Sequence, residues 1–450
     1  MSEVLSLRSS FPVPVSELWA WHERPGAFER LAAPWESMRV LERHGGLEVG
    51  ARTSVRVQVG PTAQTWVSEH TACEPHKLFK DEARQSPFAA YAHEHRFSRD
   101  GSGKSALEDH VEYTLPLGGL GSAVAGGMVK KRLAAIFRYR HAVLKADLER
   151  HLKFATAPRL NVAITGASGM LGTALGHYLS TAGHDVRAVR RTGIGIDAGG
   201  LEGAHACIHL AGAGIAEQRW TPARKKELVD SRVGFTANLL EQLERLQNPP
   251  AVLIAASAVG VYGDRGDEEL GEATQVGEPG PKGPEFLASL CQQWETASRK
   301  AEELGMRVVI LRLGVVLTSK GGALKKMLPP FAAGVGGPLA GGKAWFPWVS
   351  LEDVLGAAEL ALHDKSIRGV MNVVAPNPVT NATLTRVLGK VLVRPAFTPV
   401  PAFALRALYG ELADGAVLAS QRVLPGILQQ RGFDFVHPDL EQCLRFTLGR

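Results

Sequence analysis

Three groups of residues have types and spacing suited to chemistry. Thr165-Gly-Ala-Ser-Gly-Met-Leu-Gly172 places glycines at 166, 169 and 172, after the apolar run at 160–165 and before a helical pattern. In a strand–loop–helix setting this spacing cradles a pyrophosphate. Gly166 permits the tight turn, Gly169 lets the backbone approach the phosphates, and the N-terminus of a helix at 170–182 stabilises their charge. Gly172 permits close packing of helix on strand. A second apolar strand, at 185–189, ends in Arg190-Arg191. A site for NAD usually holds an acidic residue there, on the ribose 2′-hydroxyl, whereas two guanidinium forks suit a 2′-phosphate. NADP is therefore the expected cofactor, ahead of NAD; the other reading is a solvated arginine pair at a strand end. His93 and His95 share one face of a strand. No third ligand is spaced near them, so the expectation is hydrogen-bonded histidines in or near a cavity, with no metal.

The elements that must position these residues divide near 156–160. Before that point lies a helix over 130–152, with Leu133, Ile136, Phe137, Val143, Leu144 and Leu148 at helical spacing. Strands are expected at 47–59, 65–73, 93–98 and 107–115, the last two joined by a Gly-Ser-Gly turn at 101–103. A curved antiparallel sheet gripping a long helix fits this pattern, and it can hold an apolar cavity between helix and sheet. After Pro158 strand and helix alternate. Strands are expected at 160–165, 185–189, 206–211, 251–257, 307–313 and 370–374, with helices at 170–182, 222–246, 285–304 and 351–363. That alternation implies a mostly parallel sheet covered on both faces. From about 376 the chain reads as helical and punctuated by proline. The expected domains are thus 1–156, 160–375 and 376–450.

Composition excludes several classes. Of 450 residues, 45% are hydrophobic and 21% charged, which argues against disorder; the 49 glycines show no three-residue period. Net charge is 51 − 45 = +6. It divides evenly, 21 − 18 = +3 before residue 158 and 30 − 27 = +3 after it, so no basic face for nucleic acid is visible. Four distant cysteines give neither a disulfide framework nor a zinc pattern. Met1–Ser10 has no apolar core of a signal peptide, and no 18-residue apolar run is present. A reduced, cytoplasmic protein is expected, with a small-molecule substrate or apolar ligand as its partner; oligomeric state is not legible.

Longer motifs in fixed order carry a resemblance. They are Ile208-His-Leu-Ala-Gly-Ala-Gly-Ile215, Arg219-Trp-Thr-Pro-Ala-Arg, Asp230-Ser-Arg-Val, Ala256-Ser-Ala-Val-Gly-Val-Tyr-Gly263, Leu311-Arg-Leu-Gly-Val-Val-Leu317 and Gln421-Arg-Val-Leu-Pro425. Across about 160–446 the chain resembles an atypical extended short-chain dehydrogenase family, whose members are termed NAD-dependent or nucleoside-diphosphate-sugar epimerases. The resemblance implies a doubly wound, Rossmann-like α/β fold with its own C-terminal part. It adds Ser168, Met170, Leu171, Leu210, Ala211, Gly212, Glu227, Arg232 and Val316 as cofactor contacts. By residue type alone, Glu227 and Arg232 read as a solvated helix face. Leu31-Ala-Ala-Pro-Trp-Glu36, Trp66-Val-Ser-Glu-His70 and His93-Glu-His95 resemble START-like, polyketide-cyclase-type proteins. That likeness implies an α+β helix-grip fold around an apolar ligand.

The dehydrogenase resemblance also sets out the expected chemistry. Members use a tyrosine as acid and base, a lysine four residues on to lower its pKa, and a serine to orient substrate. Glu295 aligns the pattern so that Leu287 and Cys291 occupy the tyrosine and lysine positions, and neither can do that work. Ser257 fills the serine position, and Tyr262 offers a phenol five residues later. Three functions fit. The chain is an NADP-dependent epimerase-like oxidoreductase with Ser257 and Tyr262 as catalytic residues, a non-catalytic NADP(H) sensor or scaffold, or a ligand carrier.

Overall fold

The computed structural model describes residues 2–116, 119–192, 195–276 and 285–450. They form two compact units, one chiefly Met1–Ala157 and the other chiefly Pro158–Leu448.

The first unit is a seven-stranded antiparallel sheet: β1 (Glu3–Phe11), β2 (Met38–His44), β3 (Arg52–Val59), β4 (Thr62–Glu74), β5 (Leu78–Gln85), β6 (Ala90–Arg99) and β7 (Ser105–Thr114). Their order is β1-β7-β6-β5-β4-β3-β2. The long helix α3 (Gly119–Lys153) gives Leu133 and Phe137 to one apolar cluster and Leu144 and Leu148 to another. Two short helices, α1 (Val15–Glu23) and α2 (Ala27–Arg30), add Leu18, Trp19 and Trp21 to the second cluster. The single strand expected over 47–59 is shortened to β3, and β2, at 38–44, was not anticipated. The chain between them turns through Gly45 and Gly50, both at positive φ. β1 and β5 were not anticipated, because Ser, Arg, Lys, Asp and Glu interrupt their apolar alternation.

The second unit is built on six parallel strands: β8 (Asn161–Thr165), β9 (Asp185–Val189), β10 (Ala206–His209), β11 (Val252–Ala258), β12 (Arg307–Leu313) and β13 (Gly369–Val373). Their order is β13-β12-β11-β10-β8-β9. Both faces are covered, which is why these strands are apolar almost throughout rather than alternating. Val162, Ile164, Ile208, Ile254 and Val309 pack with α4 (Met170–Thr181) and a helix at Leu351–His363. Ala163, Cys207, Leu253, Ala255 and Val308 pack against a helix at Phe235–Glu244. The chain leaves β9 and crosses β8 to reach β10, so the loops after β8 and β10 flank a crevice at the carboxyl edge, where such sheets bind ligands. Helices at Asn381–Leu392 and Leu440–Leu448 share an apolar core with Leu324, Phe331 and Trp348. Among the described residues no helix is long and apolar enough to cross a membrane.

One polar pair in the first unit is deeply buried. Arg30 Nε and Nη2 donate to Asp147 Oδ2 and Oδ1 at 2.9 and 2.6 Å. Removing one partner of a buried pair leaves an uncompensated charge. Asp147→Ala is expected to destabilise this unit by about 3–5 kcal/mol, whereas Arg30→Met with Asp147→Leu recovers most of the loss. The urea midpoint of its unfolding transition measures both.

Candidate functional site

The glycine loop is held by close backbone approach. Gly166 has φ +69°, and a Cβ there would stand 2.9 Å from the Leu210 carbonyl and from Ala211 N. A Cβ on Gly172 would stand 2.2 Å from the Gly166 oxygen. Gly169 N donates to that same oxygen at 2.9 Å, closing the turn, and Thr173 Oγ1 donates to Ala167 O at 2.9 Å. The first turn of α4 contains no acidic residue, so its free N–H groups present uncompensated positive charge.

These segments border a cleft of about 1060 Å³. Gly166, Ser168, Arg190, Arg191, Ala211, Gly212 and Glu227 line it, together with Lys226, Asp230, Ser231 and Phe235, which the sequence reading did not single out. Arg190 and Arg191 are exposed, and the Arg191 guanidinium lies 5.6 Å from the Phe235 ring centre. Helix α5 (Pro222–Val229) begins at Thr221, whose hydroxyl accepts from Arg224 N, with proline at its first position. Helix α6 (Phe235–Glu244) follows after a π-helical turn at Asp230–Gly234. The helix expected over 222–246 is thus interrupted, and the interruption brings Asp230 and Ser231 to the cleft. Ser231 Oγ accepts from Ala213 N at 3.1 Å. A regular helix could not have revealed these residues; the signal available was Asp230-Ser-Arg-Val itself.

Of the remaining predicted contacts, Glu227 lines the cleft, whereas Arg232, Leu210, Met170, Leu171 and Val316 stand apart from the lining. Glu227 pairs with the buried Arg224 at 2.7 Å. Arg232 is buried beneath the β10 loop, donates to Ala213 O at 2.9 Å and stacks on Trp294. Leu210 is half-buried under Gly166, and Met170 and Leu171 open α4. Val316 belongs to a short strand, Val315–Leu317, paired in parallel with Trp348–Ser350.

Ser257 and Tyr262 belong to a separate polar network. Ser257 Oγ donates to Glu295 Oε1 at 2.8 Å. Arg312 Nε and Nη2 grip the two Glu295 oxygens at 2.8 Å each, and its Nη1 donates to the Tyr262 hydroxyl at 3.0 Å. That hydroxyl also lies 2.9 Å from Gly271 O and from Asn372 Oδ1, so its single proton has two acceptors. All five side chains are buried. Burial raises the Tyr262 pKa above the ordinary phenol value despite Arg312 beside it. Cys291, on α7 (Phe286–Arg299), is pushed up to about 12 by burial, with Glu295 adding to the effect, so it remains a thiol. His209, at the end of β10, hydrogen-bonds Thr165 and Thr236 at 2.7 and 2.9 Å, and burial lowers it to about 4.

The first unit holds a cavity of about 420 Å³, with Val55, Val57, Trp66, Leu133 and Ile136 on its walls. Polar groups also line it, among them Asp81, His93 and His95. The expectation that no further ligand stands near the two histidines is corrected by sheet register. Asp81 on β5 pairs opposite His93, and Asp109 on β7 pairs opposite His95. The Asp81 carboxylate was missed because β5 was missed, whereas Asp109 lies on the expected strand over 107–115 and was missed because the register of the two strands was not fixed. Asp109 carried a visible signal, a charge on the inward face between Leu107 and Val111. Burial alone would lower His93, but Asp109 and Asp81 outweigh it and hold that imidazole at about 9. Burial and the neighbouring His93 push His95 down to about 3.

Comparison with known proteins follows this division. A model of the NAD dependent epimerase/dehydratase family matches residues 162–373, one of polyketide cyclase / dehydrase and lipid transport proteins matches 11–138, and one of a domain of unknown function matches 400–447. An epimerase family protein of Mycobacterium bovis is 38% identical over 302 residues, covering 64% of this chain and 98% of its own. A crystal structure of a nucleoside-diphosphate sugar epimerase from Corynebacterium glutamicum is 29% identical with a TM-score of 0.78, covering 99% of this chain and 90% of that one. The human epimerase family protein SDR39U1, solved with NADPH, is 30% identical with a TM-score of 0.57, covering 64% and 98%.

The polar network predicts unequal losses. Glu295→Ala strands the Arg312 charge and is expected to cost about 3–5 kcal/mol. Ser257→Ala removes one hydrogen bond and is expected to cost about 1 kcal/mol. Chemical denaturation of the two variants checks the ratio.

Proposed function

The chain belongs to the NAD-dependent epimerase/dehydratase family, and on that premise we propose that its Pro158–Leu448 unit binds NADPH and acts on a small, apolar molecule. The observation that carries this reading is the cleft itself: a glycine cradle that a Cβ would fill, with two exposed arginines at the end of the neighbouring strand. Gly166, Ser168, Gly169, Met170, Leu171 and Gly172 would hold the pyrophosphate, chiefly through backbone N–H groups at the start of α4. Arg190 and Arg191 would hold the 2′-phosphate. Leu210, Ala211 and Gly212 would underlie the adenosine. Arg232 would brace that loop, with Glu227 and Val316 completing the contacts. The Arg191–Phe235 stack supports an adenine slot beside the phosphate site.

When bound, NADPH supplies a hydride. The chain's own part is acid chemistry. Tyr262 keeps its proton at neutral pH, beside the Arg312 guanidinium, which suits it to donate to an oxygen that gains negative charge. Ser257 would orient that oxygen. The apolar cavity of the first unit supports an apolar substrate class. A second reading, an NADPH-binding protein without turnover, is favoured by one observation: Ser257 and Tyr262 are both committed to the Glu295–Arg312 pair.

Fluorescence titration and turnover separate the two. Arg190→Ala with Arg191→Ala is expected to raise the Kd for NADPH about 10- to 100-fold, the worth of one charge-assisted hydrogen bond or more, and to leave NADH within about threefold. Gly172→Ala is expected to abolish binding of both. Equal affinity of the unaltered chain for NADH and NADPH would overturn the 2′-phosphate assignment. NADPH oxidation across a panel of apolar carbonyl compounds, lost in Tyr262→Phe, supports the enzyme; tight NADPH binding with no oxidation supports the second reading.

A further inference from the structure

The strand register of the first unit brings together residues that no neighbouring sequence would unite. Inward positions alternate along β6 as Tyr91, His93, His95 and Phe97, and along β7 as Leu107, Asp109, Val111 and Tyr113. Asp81 enters from β5 opposite His93. Asp81, His93 and His95 each offer one ligand atom, all within 4.8 Å of one another. The three line the cavity, and Asp109 lies behind them, outside its lining.

Distances separate an inner from an outer set. Asp81 Oδ1 is 3.4 Å from His93 Nδ1. Two ligands each ~2.0–2.1 Å from a tetrahedral ion stand ~3.3 Å apart, so this spacing already fits a shared ion. On the far side, Asp109 Oδ1 is 3.2 Å from His93 Nε2 and 2.7 Å from His95 Nδ1. Asp109 Oδ2 is 2.9 Å from His141 Nε2, and His141 Nδ1 is 2.7 Å from Ser9 Oγ. The carboxylate is thereby fixed from α3 and β1. A carboxylate that anchors the outer nitrogen of a metal-bound imidazole is the usual outer partner of such sites.

Hydrogen bonding alone does not account for the cluster. His93 Nε2, His95 Nδ1 and Asp109 Oδ1 are all fully buried, at short range, yet none makes a hydrogen bond of acceptable geometry. These three atoms face one another on the Asp109 side of the cluster, held at 3.2 and 2.7 Å as ion-pair contacts. Two imidazoles and a carboxylate match the donor set of first-row divalent ions such as zinc or iron(II).

We propose that Asp81, His93 and His95 form a binding site for one divalent transition-metal ion in the cavity wall, with Asp109 as the positioning residue that aims both imidazoles. The remaining coordination positions face an apolar cavity. The ligand class that completes the site is an apolar molecule bearing a carbonyl, enol or carboxylate oxygen, held at one end by the ion and along its length by the walls. This site is independent of the nucleotide cleft, so it stands or falls apart from the function proposed above.

The test uses the full-length chain without a histidine tag, freed of metal by chelator and titrated with Co²⁺. One equivalent with visible ligand-field absorption is expected, displaced by Zn²⁺. Asp81→Asn and His95→Asn are each expected to weaken Co²⁺ binding at least ~100-fold, and Asp109→Asn by ~10–100-fold with the absorption bands retained. A second histidine cluster, His184, Glu359 and His363, lies in the other unit; His363→Asn is expected to leave the titration unchanged. Where His95→Asn does not fold, Asp81→Asn decides, since the amide keeps the shape of the carboxylate. No stoichiometric binding by the unaltered chain, or unchanged affinity and spectrum in Asp81→Asn, would overturn the site.

Discussion

Everything at the nucleotide cleft depends on one missing methyl group. The chain after β8 turns so tightly that its own Gly166 oxygen lies where a side chain at Gly172 would begin. Because that space is empty, α4 starts directly against the end of β8. Its first N–H groups point out of the sheet edge instead of into a loop. The same turn brings Gly166 onto the Leu210 and Ala211 backbone, so the loops after β8 and β10 meet at fixed separation. A cleft made this way is set by backbone, and its charge comes from a helix terminus and from Arg190 and Arg191 at the next strand end. Those arginines need no buried partner of their own, which leaves them available to an anion.

A second constraint governs the other end of the same sheet edge. Arg312 and Glu295 join β12 to α7 in a buried, two-point contact, with Ser257 from β11 and Asn372 from β13 drawn in around it. Charges at this depth persist only when each lone pair and proton has a partner. Tyr262 supplies one such partner. Meanwhile α7 turns Leu287, Leu290, Cys291 and Trp294 inward as an apolar face. Where short-chain dehydrogenases carry a tyrosine and a lysine, this helix packs. Tyr262 is held within this ion-pair network, and its pKa is tied to burial and to Arg312 beside it.

Much of this was legible because the parallel sheet writes its signal locally. Four apolar residues within 160–165, a glycine loop and a helical pattern identify β8 and α4 without any tertiary information, and β9 and β12 match their expected bounds. Arg190 and Arg191 followed from position at a strand end. Lys226, Phe235 and Ser231 did not, because a π-helical turn changes which residues of 222–244 face the cleft, and no pattern of 3.6 residues predicts that. The antiparallel unit was harder for a related reason. In β1 and β5 polar residues such as Ser9 and Asp81 break the apolar alternation on the inward face, so hydropathy alone misses these strands, and every cross-strand neighbour they supply is lost with them. His93 and His95 were visible as a pair; Asp81 and Asp109 became their neighbours only through register.

The cost of that register is itself informative. Inward positions on a β-sheet flanked by Phe97, Leu107, Val111 and Phe137 are well suited to apolar side chains, and exchanging buried ionic groups for such residues is often neutral or stabilising. Here the carboxylates of Asp81 and Asp109 and the imidazoles of His93 and His95 occupy them instead. Moving each from water into this interior costs a few kcal/mol unless its partners repay the loss, and three of the atoms concerned are not satisfied by protein groups in good geometry. Stability alone gives no reason for such a cluster in the lining of a mainly apolar cavity. Its placement follows if these polar residues are the working surface of the first unit, where an ion and the oxygen end of an apolar ligand meet.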